Sequence, residues 1–139
     1  MRYVREETVD ALAERVWQLL VDVEGWPTWT ASMREITRLD DGPLAVGSRA
    51  RVVQPKGRPT VWTVTELEPM RTFTWVAKQP GLTLEAVHRI DGTGQQVRTT
   101  LEFIGTGPLA WLGSLLAGSR VRAYLDMESA GLKRAAETT

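Results

Sequence analysis

The sequence predicts an α+β fold, with helices gathered on one side of a mostly antiparallel sheet. Three observations carry this. Between Arg34 and Ile104 short runs of alternating apolar and polar residues are separated by turn residues. From Gly107 to Glu137 apolar residues recur at the helical period without interruption by a turn signal. No internal repeat or low-complexity linker divides the chain, so residues 1–139 are expected to form a single domain.

Taken in order, Arg2 to Asp10 reads as a strand through Tyr3, Val4, Thr8 and Val9. Asp10 is expected to cap the following helix by accepting from an early backbone N–H. Leu12, Val16, Leu19, Leu20 and Val23 then recur at amphipathic spacing, and Gly25 is expected to end that helix. The stretch Trp26–Met33 predicts a short second helix with Pro27 in its first turn. Six strands follow, at Arg34–Leu39, Ser48–Gln54, Thr60–Leu67, Thr72–Ala77, Leu82–Ile90 and Gln96–Ile104. Turn chemistry such as DDGP, PKGRP and DGTG separates them.

The last stretch predicts one long helix, with Pro108 in a first turn where its missing N–H has no intrahelical partner. Trp111, Ser114, Gly118, Val121, Leu125, Glu128 and Leu132 share a face at the helical period. Gly113 and Gly118 each cost about 1 kcal/mol against alanine in a helix interior. Small residues on a covered face leave two explanations: another backbone approaches closely, or the helix lies over a space.

The composition narrows the function. Acidic and basic residues balance at 17 each, so no global field favours nucleic acid. No cysteine is present, and His88 is the one histidine, which excludes thiolate and multi-histidine metal sites. No cofactor or metal is expected. The glycines of Gly92–Thr93–Gly94 and Gly105–Thr106–Gly107 lack a phosphate-binding lysine and serine. No segment has the apolar length to span a membrane and the N-terminus has no signal-like run, so stable membrane insertion is not expected and a cytoplasmic protein is.

Alternation places Leu82, Leu84, Ala86, His88 and Ile90 on one strand face, and Val97, Thr99, Leu101 and Phe103 on one face of the next. Phe73 and Trp75 share a face, as do Trp62 and Val64. Only His88 and Thr99 are polar on this face. Covered by a helix with small residues, it predicts an apolar cavity with a few polar anchors.

The phrases AERVWQLLVDVEGWPTW (13–29), WTVTELEPMRTFTW (62–75) and GLKRAAE (131–137) resemble the polyketide cyclase/dehydrase-like branch of the START-like (SRPBCC) superfamily. The resemblance covers essentially the whole chain. It implies a helix-grip fold: a curved seven-stranded antiparallel sheet wrapped around a long C-terminal helix, with two short helices after the first strand. Members bind lipids, sterols and polyketides, and some cyclise or dehydrate them. Aromatising members tend to place arginine and tyrosine in the pocket, whereas Met33 stands here where a tyrosine would be hoped for.

Two function classes follow. One is binding of a small hydrophobic molecule between sheet and helix, with Trp29, Trp62, Phe73, Trp75, Leu84, Leu101, Gly118 and Leu125 as expected walls and His88 and Thr99 for orientation. The other is a cyclase or dehydratase acting by general acid–base catalysis through His88. His88 also reads as a hydrogen-bonded core residue. Glu128 is expected in a cap or salt bridge, and Arg51 in solvent, opposite the inward pair Ala50 and Val52. Leu112, Leu115 and Leu116 are candidates for docking a partner or closing the cavity mouth, and a homodimer is left open.

Overall fold

The computed structural model describes residues 1–138. β1 (Arg2–Val9) leads into α1 (Ala13–Val21) and a 3₁₀ helix (Val23–Thr28). Then come β2 (Glu35–Arg38), β3 (Arg49–Val53), β4 (Thr60–Glu68), β5 (Thr72–Gln79), β6 (Leu82–Asp91) and β7 (Val97–Thr106). α2 (Ala110–Glu137) follows. Among the described residues the strands make one antiparallel sheet in the order β1-β7-β6-β5-β4-β3-β2. This is the helix-grip arrangement. β2 to β7 follow one another as hairpins, while β1 closes onto β7 across the whole length of the chain.

The sheet bends where β4 carries an extra residue. Val64 pairs with Trp75 but Glu66 with Thr74, leaving Thr65 unmatched. A bulge of this kind increases local twist and curvature. It also switches the inward set of β4 from Trp62 and Val64 to Leu67, which lies opposite Phe73. Residues before and after the bulge therefore both reach the concave face.

The core is uneven along α2. Its C-terminal half packs Leu132 and Ala136 into a cluster with Val16, Leu20, Val23, Trp26, Trp29, Phe73 and Ile90. A smaller cluster of Tyr3, Leu101 and Leu125 lies further toward its N-terminus. Trp26 anchors the larger cluster. Its indole donates to Leu20 O at 3.0 Å, and its ring lies 5.2 Å from Trp75 and 5.5 Å from Trp29. A buried tryptophan with its N–H satisfied fixes both a packing direction and a hydrogen bond.

Several expected boundaries move for local reasons. Gly107 has φ +106°, a left-handed conformation incompatible with a helix interior, so α2 begins three residues later and Pro108 precedes its first turn. The Leu109 N–H donates to Gly81 O at 2.9 Å, tying the start of α2 to the β5–β6 turn. Asp10 does not cap α1, whose N-cap is Leu12. Asp10 Oδ1 instead accepts from Gln96 Nε2 at 2.6 Å. α1 ends at Val21 rather than Gly25, and the second helix spans Val23–Thr28 in 3₁₀ form, with Trp29 just beyond it. Trp111 is 66% exposed rather than covered, alongside Leu115 (74%) and Leu116 (75%), while Leu112 is half-buried. No helix among the described residues is long and apolar enough to cross a membrane.

The tightest contact of α2 is at Gly131. A Cβ there would collide with the carbonyl oxygen of Trp29. Gly118 has a similar though softer role, since its Cβ would lie 2.7 Å from the Tyr3 hydroxyl. That hydroxyl also hydrogen-bonds Ser114 Oγ at 2.8 Å. Both glycines thus serve close packing, and neither opens a space. Gly131→Ala is expected to lower stability by about 1–3 kcal/mol, because overpacking against backbone exceeds the gain in helix propensity of about 1 kcal/mol. At Gly113 an added methyl would meet only Met1 Cε at 3.4 Å and Leu82 Cδ2 at 3.6 Å. Gly113→Ala should therefore stabilise by up to about 1 kcal/mol. Urea melts of the two variants check this, and wild-type stability in Gly131→Ala would contradict the close approach.

Candidate functional site

Between the N-terminal half of α2 and the concave face of the sheet lies a cavity of about 650 Å³ that opens to solvent. Leu82, Leu84 and Ala86 of β6 and Leu101 and Phe103 of β7 form its floor. Trp62 and Trp75 close one side, with ring centroids 5.7 Å apart. Gly113, Ala117, Val121, Tyr124 and Glu128 of α2 form the roof. The period-2 alternation of the strands and the three-to-four spacing on the helix bring these residues to one space. The volume lies within the range of small-molecule sites, about 300–1,000 Å³.

His88 borders this cavity and is 3% exposed. Its Nδ1 is 2.9 Å from Phe73 O, the carbonyl of its own cross-strand partner. A carbonyl oxygen only accepts, so Nδ1 carries the proton and Nε2 keeps a lone pair. The ring is enclosed by Phe73 at 4.8 Å, Trp26 at 5.2 Å and Trp75 at 6.2 Å between centroids. Burial pushes its pKa down to about 4, although the bond to Phe73 O pulls the other way. His88 is a neutral imidazole at pH 7.

Glu128 also borders the cavity. It makes no ion pair or side-chain hydrogen bond among the described residues, so the expected cap or salt bridge is absent. It is half-buried, and desolvation pushes its pKa up to about 8. At pH 7 it is a carboxylic acid able to donate a hydrogen bond. The site thus holds a neutral acid and a neutral base in apolar surroundings.

Of the residues expected to form walls, Trp62, Trp75, Leu84, Leu101 and Leu125 line the cavity, as does His88. Trp29 and Phe73 pack in the large core cluster. Thr99 is buried with its hydroxyl 3.4 Å from Glu7 O, outside the cavity wall. Gly118 faces Tyr3. Arg51 is exposed, with Ala50 and Val52 inward, as expected. Val121, Leu125 and Glu128 of the face chosen from the sequence do line the cavity, whereas Ala117 and Tyr124 were passed over and Gly113 was not named as a wall. Sequence reasoning also passed over the cations of the turns: Lys56 and Arg58 after β3, and Lys78 at the end of β5, all at the cavity. Their signal was present in the turn segments PKGRP and KQPG.

The two buried groups imply opposed pH dependences. His88, with its folded pKa depressed below the unfolded value near 6.5, contributes stability above that value that is lost as pH falls toward about 4. Glu128 has a folded pKa raised above the unfolded 4.5, so its stabilising difference is lost as pH rises through about 8. Between 4.5 and 6.5 the two slopes cancel, and above 6.5 that of Glu128 remains. Glu128→Gln should therefore melt with wild type near pH 4 and become progressively more stable than it toward pH 8. Thermal melts across that range check this. Parallel pH profiles would show that Glu128 is ionised in the native protein.

Comparison with known proteins places this geometry. Residues 1–137 match the family model described as polyketide cyclase / dehydrase and lipid transport. No curated protein matches the chain in sequence. Among solved structures, hypothetical protein jhp0584 from Helicobacter pylori is similar at TM-score 0.82 and 17% identity, covering 98% of this chain and 88% of that one. The Aha1 dimer from Colwellia psychrerythraea is similar at TM-score 0.74 and 17% identity, covering 99% of this chain and 97% of that one. The di-domain ARO/CYC BexL from the BE-7585A biosynthetic pathway is similar at TM-score 0.69 and 20% identity, covering 97% of this chain and 46% of that one. At these identities the structures share the fold. The match over residues 1–137 shows that the chain belongs to the polyketide cyclase / dehydrase and lipid transport family.

Proposed function

We propose that the protein binds a small hydrophobic molecule, lipid or polyketide-like, in the cavity between the sheet and α2. The observation that supports this most is the 650 Å³ space itself, walled by Trp62, Trp75, Leu84, Leu101 and Phe103 and open at one end. A ligand burying about 300 Å² of apolar surface gains on the order of 7 kcal/mol before the costs of ordering and association. His88 Nε2 accepts a hydrogen bond from such a ligand and the Glu128 carboxyl donates one, so a few polar substituents fix its orientation.

A second reading is favoured by one observation, that a neutral acid and a neutral base border the same cavity. A cyclase or dehydratase needs that pair. The imidazole removes a proton beside a carbonyl while the carboxylic acid protonates the departing hydroxyl, which leaves as water.

Titration of the protein with a polycyclic aromatic polyketide, followed by tryptophan emission, tests both readings, since Trp62 and Trp75 line the space. Saturable quenching or shift is expected. Ala117→Trp, which fills the roof without adding a helix breaker, should weaken binding at least about tenfold, or about 1.4 kcal/mol, with a melt within a few degrees of wild type. Recovering the ligand afterwards separates the readings: it returns unchanged from a carrier, and dehydrated or cyclised from an enzyme. Unaltered affinity in Ala117→Trp would contradict binding in this cavity.

A further inference from the structure

The open end of the cavity is cationic. Lys56 and Arg58 from the β3–β4 loop, Lys78 from the end of β5 and Arg120 from α2 all border the space, and all four are exposed. They come from three separate elements. None forms an ion pair among the described residues, whereas six other basic residues do. Among the described residues only two carboxylates border the cavity. Glu102 is tied to Arg2 at 2.7 Å, and Glu128 lies further along α2 from the opening. In a chain whose acidic and basic residues balance, this is a local excess of four positive charges at the entrance to an apolar space.

Such an excess has a cost if nothing uses it. Like charges gathered around one opening repel, and ordinary surface patterning would intersperse acids among them. An apolar interior behind a cationic rim is complementary to one kind of molecule, an amphiphile with an apolar body and an anionic head. We propose that the site takes a ligand of this class, its tail between Trp62, Leu84, Leu101 and Ala117 and its carboxylate or phosphate at Lys56, Arg58, Lys78 and Arg120. This rests on the cavity-binding reading above and adds the chemical class of the ligand. Lysine suits the role as a mobile point charge, while Arg58 and Arg120 offer paired donors to a carboxylate or phosphate. The rim also raises the local concentration of anionic ligands before they enter, an effect that salt suppresses.

The test compares ligands that share a tail. Dodecanoate, dodecyl phosphate, 1-dodecanol and dodecylamine, each below its micelle concentration, are titrated into the protein with tryptophan emission as the readout. At low salt one or both anions should bind at least about tenfold more tightly than the alcohol, and the amine most weakly, with the preference shrinking as salt is raised. Which anion binds better identifies the head. Replacing all four cations together, by Lys56→Gln, Arg58→Gln, Lys78→Gln and Arg120→Gln, should bring both anions to the affinity of the alcohol. Arg71→Gln, a charge removed far from the opening, should leave the preference as it was. Saturable binding of both anions, the alcohol and the amine with equal affinity would overturn the anion preference while leaving the cavity reading intact. Absence of saturable binding by all four would overturn both.

Discussion

The contact on which the rest depends is the seat of α2 on the backbone of Trp29. Gly131 has no side chain, and the Trp29 carbonyl occupies the place where one would start. This fixes the C-terminal half of the helix against the 3₁₀ segment and the large apolar cluster. Polar contacts reinforce it: Lys133 Nζ donates to Thr8 O at 2.7 Å, and the Asp10 N–H donates to Glu137 Oε2 at 2.8 Å. At the other end Leu109 is tied to Gly81. A helix of 28 residues is about 42 Å long at 1.5 Å per residue, more than the core beneath it fills. Held at both ends, α2 spans the remainder as a roof.

The same division separates the electrostatics. Where the helix is seated, packing is dense and aromatic, and His88 is built into that wall as much as into the cavity. Its bond to Phe73 O fixes the tautomer, so the face it offers a ligand is an acceptor. Glu128 comes from the roof and offers a donor, because burial without an ion-pair partner among the described residues favours its neutral form. Positive charge is confined to the opening. From entrance to interior the site therefore changes from cationic and solvated to neutral and hydrogen-bonding. That gradient is what the proposed ligand, apolar with an anionic head, would match.

Much of the fold was legible because β-structure writes a short-range signal. Alternation along β6 and β7 placed Leu84, His88 and Leu101 on the concave face, and turn residues marked each hairpin. The bulge at Thr65 left no mark that alternation alone reveals. The helices were harder. α2 carries apolar residues on several sides, so Ser114 and Gly118 and the neighbouring stripe Gly113 and Ala117 were equally plausible inner faces. Only the position of Tyr3 on β1 decides between them, and that contact spans more than a hundred residues. Asp10 met every local criterion for a cap, yet its carboxylate bonds Gln96 across the fold. The partnerless state of Glu128 was equally invisible, because it depends on which cations are elsewhere.

The proposed ligand lies under α2, with its tail against the sheet. Intermolecular NOEs between methyl-labelled protein and saturating dodecanoate measure this directly. Contacts from the alkyl chain to the methyl groups of Leu84, Ala86, Leu101 and Ala117 are the expected result. Contacts confined to Leu115 and Leu116 on the outer face of the helix would contradict it, since the ligand would then be held on the surface and the space beneath α2 would have no part in binding.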